Sequence, residues 1–214
     1  MTFLPYLAPL VLALVALDLA WRPVARASWR LRLPEYAACV AMLAALGTGL
    51  LLALHGPLTA GLPGLLAQAF AVRIDIVSVA MLGTVSFVGW IVLRYARTAL
   101  DGEDGHGRFM ATMAATLAAV LLLVSAGHLV QLVLAWAMVG VSLHRLLLFY
   151  PDRPRAQRAA RKKTVSGIIG TSALLLAAGL LIHGFGTGDI AAIAAMAQAG
   201  QVPGTLWLAA LLLA

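Results

Sequence analysis

Long apolar stretches, separated by short polar or glycine-rich connections, follow one another along the whole chain. Runs near 3–20, 35–54, 74–95, 109–126, 129–149 and 165–183 each approach the ~20 mostly apolar residues that a helix needs to cross a bilayer. They predict six transmembrane helices. A seventh run begins near Gly204, and its apolar part, 206–214, covers only about half a bilayer, so this helix is expected to continue beyond Ala214. The expected fold is all-α: a polytopic helix bundle with six complete spans and part of a seventh. Two connections stand out. Residues 55–72, with Gly56, Pro57, Gly61, Pro63 and Gly64, read as a turn-rich, nearly uncharged link. Residues 190–196, apolar and preceded by Gly184, Gly186, Gly188 and Asp189, read as a short interfacial helix or re-entrant piece. The first five residues lack the basic stretch of a signal peptide, so span one is read as a true span.

Composition strengthens this picture. The 214 residues are 63% apolar and 11% charged, against roughly 45–50% and 25% in a soluble domain. One soluble core cannot hold that excess. The single cysteine, Cys39, excludes a disulfide within the chain and a cysteine-built metal or iron–sulfur site. The formal charge of +7 reports orientation here and not nucleic-acid binding. Fourteen of the fifteen Lys and Arg residues fall between spans one and two, three and four, or five and six, or at their ends; Arg73 alone lies on the other side. By the positive-inside rule the loops 21–34, 96–108 and 150–164 are cytoplasmic and the N-terminus is outside, as in a multi-pass protein of the bacterial inner membrane.

Ionisable groups within apolar spans are costly and so are functional candidates by default. Each also has a plainer reading. Asp18 and Glu35 sit near helix ends, where snorkelling or capping suffices. Asp75, two residues after Arg73, is either an ion-path group or half of an interfacial salt bridge. His128, in a very short outer turn, is either a path group or a cap, and His183 is similar. His144 and Arg145 lie in or near the cytoplasmic third of span five. A neutral imidazole relays protons through its two ring nitrogens near neutral pH; the competing role is an interfacial anchor. The basic stretch 152–163 offers Lys162 and Lys163 to an ion path. Its Arg153, Arg155, Arg158 and Arg161 suit anionic headgroups or a docked partner. The acidic turn 101–105 lacks the alternating ligands of a calcium loop and reads as solvated. No phosphate-binding, nucleophile-elbow or zinc-protease motif appears, and no zinc-ligand set, so catalysis and cofactors are not expected in this chain.

The order of these features resembles a family. Val72-Arg73-Ile74-Asp75-Ile76-Val77-Ser78 is similar to the F-R-x-D-x-x-S helix start of the largest antiporter-like subunits of respiratory complex I and of Mrp antiporters. Residues 101–110 (DGEDGHGRFM) match its acidic glycine loop followed by R-F-F, Trp136-Ala137-Met138-Val139-Gly140 falls on W-E-G-V-G, and Phe149-Tyr150 on F-Y. The resemblance covers roughly 70–214 and implies repeated five-helix units, of which 108–214 would hold the first part, after an N-terminal group of three helices in 1–107. Two departures bear on mechanism. The family's glutamate is Ala137 here and its later aspartate is Thr171, while its essential buried lysine would lie just beyond Ala214. Alanine cannot titrate. His144, seven residues after Ala137 and so on about the same helical face, is the available substitute.

Residues 143–154 (LHRLLLFYPDRP), with Ala160-Arg161-Lys162-Lys163, most resemble one branch: the membrane subunit (DabB) of DAB-type inorganic carbon accumulation complexes. That resemblance implies a cation current, protons or sodium ions, through the bilayer, coupled to CO2 hydration by a large cytoplasmic partner, DabA, that resembles a carbonic anhydrase and would carry the zinc. Three readings follow. The chain is an ion-conducting subunit energising a DabA-like protein; or a proton-pumping subunit of an NADH–quinone oxidoreductase or Mrp assembly, which the lost glutamate disfavours; or a mainly structural membrane anchor.

Overall fold

The computed structural model describes residues 4–22, 29–61, 70–150, 154–200, 203–204 and 206–213. Among these residues six helices are long and apolar enough to cross a membrane. They are α1 (Leu4–Trp21), α2 (Leu33–His55, entered through a 3-10 turn at Trp29–Arg32), α3 (Ile76–Ala99), α4 (His106–Val124), α5 (Leu129–Leu147) and α6 (Pro154–Phe185). Two short helices follow, α7 (Ile190–Gln198) and α8 (Leu206–Leu213). The helix ends are written locally. Pro34 sits in the first turn of α2, where its missing N–H costs nothing. Asp75, His128 and Asp189 cap α3, α5 and α7 by accepting backbone N–H groups of Ser78, Val130 and Ala191. Gly105, at φ +84°, turns the chain into α4.

The bundle is densest where α1 packs on α2 and α4, and α3 joins both α2 and α4. Its core sets Ala37, Ala38, Ala41, Ala44 and Ala45 of α2 with Leu12 and Ala16 of α1 and Met110, Ala114 and Ala118 of α4. Lipid tails are as apolar as leucine, so helices in a bilayer gain by close backbone approach, and alanine allows it. Gly89 carries the same logic between α3 and α4: a Cβ there would lie 2.6 Å from the Leu117 side chain.

The basic residues gather at one end of the bundle. There Asp18 pairs with Arg30, and with Arg22 at 3.7 Å; Glu35 lies 3.2 Å from Arg97 and 4.0 Å from Arg94, whose guanidinium stacks over Trp90. Asp18 and Glu35, candidates for caps or snorkelling, thus tie the end of α1 to the turn before α2, and α2 to α3.

The opposite end departs from the all-helical expectation in detail. The link 55–72 contains an antiparallel hairpin, β1 (Leu58–Gly61) with β2 (Ala71–Ile74), Leu58 opposite Ile74. Residues 125–127 continue that pairing. The Arg73 N–H donates to the Ser125 carbonyl at 3.2 Å and the Gly127 N–H to the Ala71 carbonyl at 2.6 Å. A Cβ at Gly127 would sit 2.8 Å from the Ala71 oxygen, which is why the position needs glycine. The Leu129 N–H donates to Gly188 at 2.9 Å and the Ile190 N–H to Gly127 at 3.0 Å, so three connections at this end share one backbone network.

The second correction concerns α6. Its apolar part was expected from about 165, after a basic loop at 152–163. The helix instead begins at Pro154 and runs for 32 residues. Residues 154–163 are mostly Ala, Arg, Gln and Lys, all strong helix formers, and proline is well placed as the first helical residue. The stretch 190–196 lies within α7, and α8 packs against α6.

Candidate functional site: a polar seam between two cavities

The polar residues of α5 and α6 meet along one seam at the basic end. Thr164 and His144 hydrogen-bond, Oγ1 to Nδ1, at 2.9 Å, and the Thr164 hydroxyl is also 2.8 Å from the Ala160 carbonyl. One turn away along α5, the Lys163 ammonium crosses from α6 to donate to the Gly140 carbonyl. A polar group inside a bilayer is tolerated when it finds such a partner. Both bonds join the same two helices, so the seam is held by polar contacts where α1–α4 are held by packing.

Two cavities abut this seam. The first, about 760 Å³, opens among the basic-end loops and is walled by Leu19 of α1, Leu31, residues 103–109 with Ala111 and Thr112, and His144, Arg145 and Phe149. The second, about 520 Å³, lies between α5 and α6 and is walled by Ala137, Gly140, His144, Lys163, Thr164 and Thr171, with apolar neighbours. His144 belongs to both walls. A titratable side chain shared by a vestibule and an intramembrane cavity can take a proton from one and give it to the other.

The sequence candidates fall into three groups. His144 and Lys163 are brought together on the α5–α6 seam, and Arg145 lines only the vestibule, exposed. Ala137 and Thr171, which stand where the resembled family has its carboxylates, face the same cavity as His144. Lys162, Arg155, Arg158 and Arg161 are exposed on the first turns of α6; Arg158, Arg161 and Lys162 share one shallow surface hollow. Arg153 lies outside the described residues. Asp75 and His128 are at the far end. Asp75 accepts the Ser78 N–H at 2.7 Å and pairs with Arg73 at 2.9 Å. The His128 Nδ1 accepts the Val130 N–H at 3.2 Å, and its ring lies so close to Gly188 that a Cβ there would be 2.4 Å away.

Two groups at the vestibule escaped sequence reasoning. The acidic turn, read as merely solvated, places Glu103 and Asp104 in the vestibule wall, and His106, singled out by no motif, is 5% exposed in the same wall. Phe149 packs edge-on against Phe109 at 5.0 Å and Tyr150 at 4.8 Å, bringing the end of α5 onto the start of α4.

Residues 126–214, which contain the seam, match the family model for the transmembrane part of NADH:quinone oxidoreductase and Mrp antiporters. Over these residues the chain belongs to the antiporter-like transmembrane family. Relatives extend this to the helices before it. The chain is 38% identical over 144 residues to a probable inorganic carbon transporter subunit, DabB2, of Halothiobacillus neapolitanus, covering 67% of this chain and 26% of that protein. It is 31% identical over 139 residues to NADH-quinone oxidoreductase subunit L of Pseudomonas aeruginosa, covering 65% and 23%. The antiporter-like chain therefore spans about a quarter of the length of these curated relatives. Its fold is also that of a chain in the membrane-bound sulfane sulfur reductase, an archaeal respiratory membrane complex, with a TM-score of 0.80 at 18% identity, over 99% of this chain and 42% of that one.

Proposed function

We infer that this chain forms part of a proton-conducting membrane subunit that energises inorganic carbon accumulation by a bound DabA-like partner. The observation that carries the reading is His144, the one residue among the described ones that lines both the vestibule and the α5–α6 cavity, on the helix face where the family's carboxylate has become Ala137. The 38% identity to a DabB2 subunit favours this over a quinone oxidoreductase role, and Ala137 weighs the same way. Protons enter from the cavity side, rest on His144 and leave through the vestibule to the cytoplasm, the N-terminus being outside in the bacterial inner membrane. Zinc and hydration of CO2 reside in the cytoplasmic partner. Arg155, Arg158 and Arg161, exposed on the same helix as Lys163, give an acidic partner surface a field to dock on.

The test uses the complete subunit with its partner in liposomes carrying a pH-sensitive dye. His144→Leu is expected to assemble normally and to lose proton uptake; normal uptake by an assembled His144→Leu complex overturns the reading. Reversal of Arg155, Arg158 and Arg161 to Glu is expected to reduce co-purification of the partner, most strongly at low salt. Cysteines introduced at 155–161 should resist impermeant labelling in intact cells; strong labelling reverses the assigned orientation.

A further inference from the structure

His106 is an unusual residue to bury. It is 5% exposed at the start of α4, and both of its ring nitrogens are sealed from solvent with no hydrogen-bonding partner among the described residues. Buried polar side chains nearly always have a partner, and one without demands a reason. A leucine or phenylalanine would fill the space with no unpaired nitrogen. Its place in the vestibule supplies the reason. His106 lines the 760 Å³ cavity that His144 also lines.

The surroundings of His106 are arranged by the fold. Gly105, in the left-handed region at φ +84°, makes the sharp turn that puts His106 at the first position of α4. Phe149 lies over that turn, its ring 3.5 Å from where a Gly105 Cβ would stand. Charged groups in the same wall come from two elements: Glu103, Asp104 and Arg108 around the start of α4, and Arg145 beside His144 on α5. The α1 contribution, Leu19 and Ala20, and Leu31 of the 3-10 turn are apolar. The vestibule therefore has a rim with carboxylates, an inner titratable group at His144, and one buried imidazole on the wall between elements.

We propose that His106 is a second proton-carrying group of the vestibule, passing protons between His144 and the Glu103–Asp104 rim. The inference rests on the proton-conducting reading of His144. A neutral imidazole takes a proton on its unprotonated nitrogen and releases one from the other, so each transfer leaves the ring neutral again and moves one proton. Because His106 lines the cavity while its ring nitrogens are sealed from water, loading requires rotation toward the cavity, and torsions of this sp³–sp² kind are broad. His106 is thus a gated station, closed to water in the resting arrangement.

Proton flux through the complete subunit with its partner, reconstituted in liposomes, separates this role from simple packing. His106→Ala is expected to lower flux about tenfold, below the ~10²–10⁴-fold range for removing a general acid or base that acts directly in the transition state. Free imidazole in the medium on the basic side should restore much of it by occupying the space vacated. His106→Gln, which keeps a hydrogen-bonding side chain but cannot relay, should be equally impaired and not rescued. Full flux in either variant overturns the proposal, and so does a loss in His106→Ala that imidazole leaves unchanged. If His106→Ala does not assemble, flux through His106→Gln decides. Normal flux in the His106 variants with none in His144→Leu removes His106 from the path while the reading of His144 stands; unimpaired flux in His144→Leu removes both.

Discussion

Helices α1–α4 meet through alanines and leucines that are almost wholly covered, whereas α5 and α6 meet at a lysine, a threonine and a histidine beside an open cavity. In the first group the buried core runs unbroken from Ala8 to Leu121 across four helices. In the second, Ile169 and Leu175 are exposed, Trp136, Val141 and Ile168 border the open cavity, and Lys163 and His144 hold the contact between the helices. Both groups have enough apolar length to cross a membrane. They differ in how the helices hold one another: close approach of backbones in one, a few directed bonds in the other. A packed interface resists change and carries nothing through it. A bonded, hollow seam can rearrange a bond at a time.

If that contrast is right, substitutions in the two regions should separate cleanly in what they disturb. The largest effect belongs to His144→Leu, expected to cut proton flux roughly a hundredfold, the low end for removing a proton-transfer group, with the unfolding midpoint in detergent little changed. Equal losses of flux and stability would make the seam a packing interface after all. Next comes Ala38→Leu, at a position with no exposed surface between helices. Overpacking there should cost about 1–3 kcal/mol in unfolding measurements, and flux per assembled complex should stay normal.

A smaller effect is expected at the hairpin end, away from both regions. The Ser78 backbone N–H above all, helped by the Arg73 guanidinium, holds the Asp75 carboxyl below the usual carboxylate range. A carboxylate so depressed stabilises the fold above its unfolded pKa of about 3.9, and that contribution is lost as pH falls from there through the folded value. Asp75→Asn should therefore lose about 1 kcal/mol or less at neutral pH, since asparagine still caps, and should show a flatter acid limb of stability against pH. An unchanged acid limb would remove Asp75 from the stabilising groups. The smallest effect is Ile169→Leu, on the exposed face of α6, expected within ~0.5 kcal/mol in stability and neutral in flux.

Hydropathy made the six spans legible because a span is a local property of ~20 consecutive residues. It also placed His144 on the face of Ala137, since helical spacing is local too, and both side chains do line one cavity. What escaped was non-local or polar. The pairing of β1 with β2 joins residues far apart through short strands that hydropathy reads only as apolar loop. The extra turns of α6 were hidden because Arg155 to Lys163 are as helical as they are hydrophilic, and a scan for membrane spans registers only the second property. Asp18 with Arg30 and Glu35 with Arg97 are contacts across elements, which spacing along one helix cannot show. No pattern in the sequence marks His106, which is 5% exposed at the start of α4, where Phe109 and Phe149 meet.

The length of α6 gives the seam a mechanical side. Thirty-two residues rising ~1.5 Å each make a rod of about 48 Å, against a hydrocarbon thickness near 30 Å. The excess length leaves room for its arginine-bearing turns to lie beyond the hydrocarbon, like the handle of a lever, with no proline or glycine hinge between Arg155 and Thr164. A tilt or twist imposed on that handle is delivered rigidly to the Thr164–His144 bond. A grip on the arginines would therefore bear on the Thr164–His144 contact directly, with no slack in between.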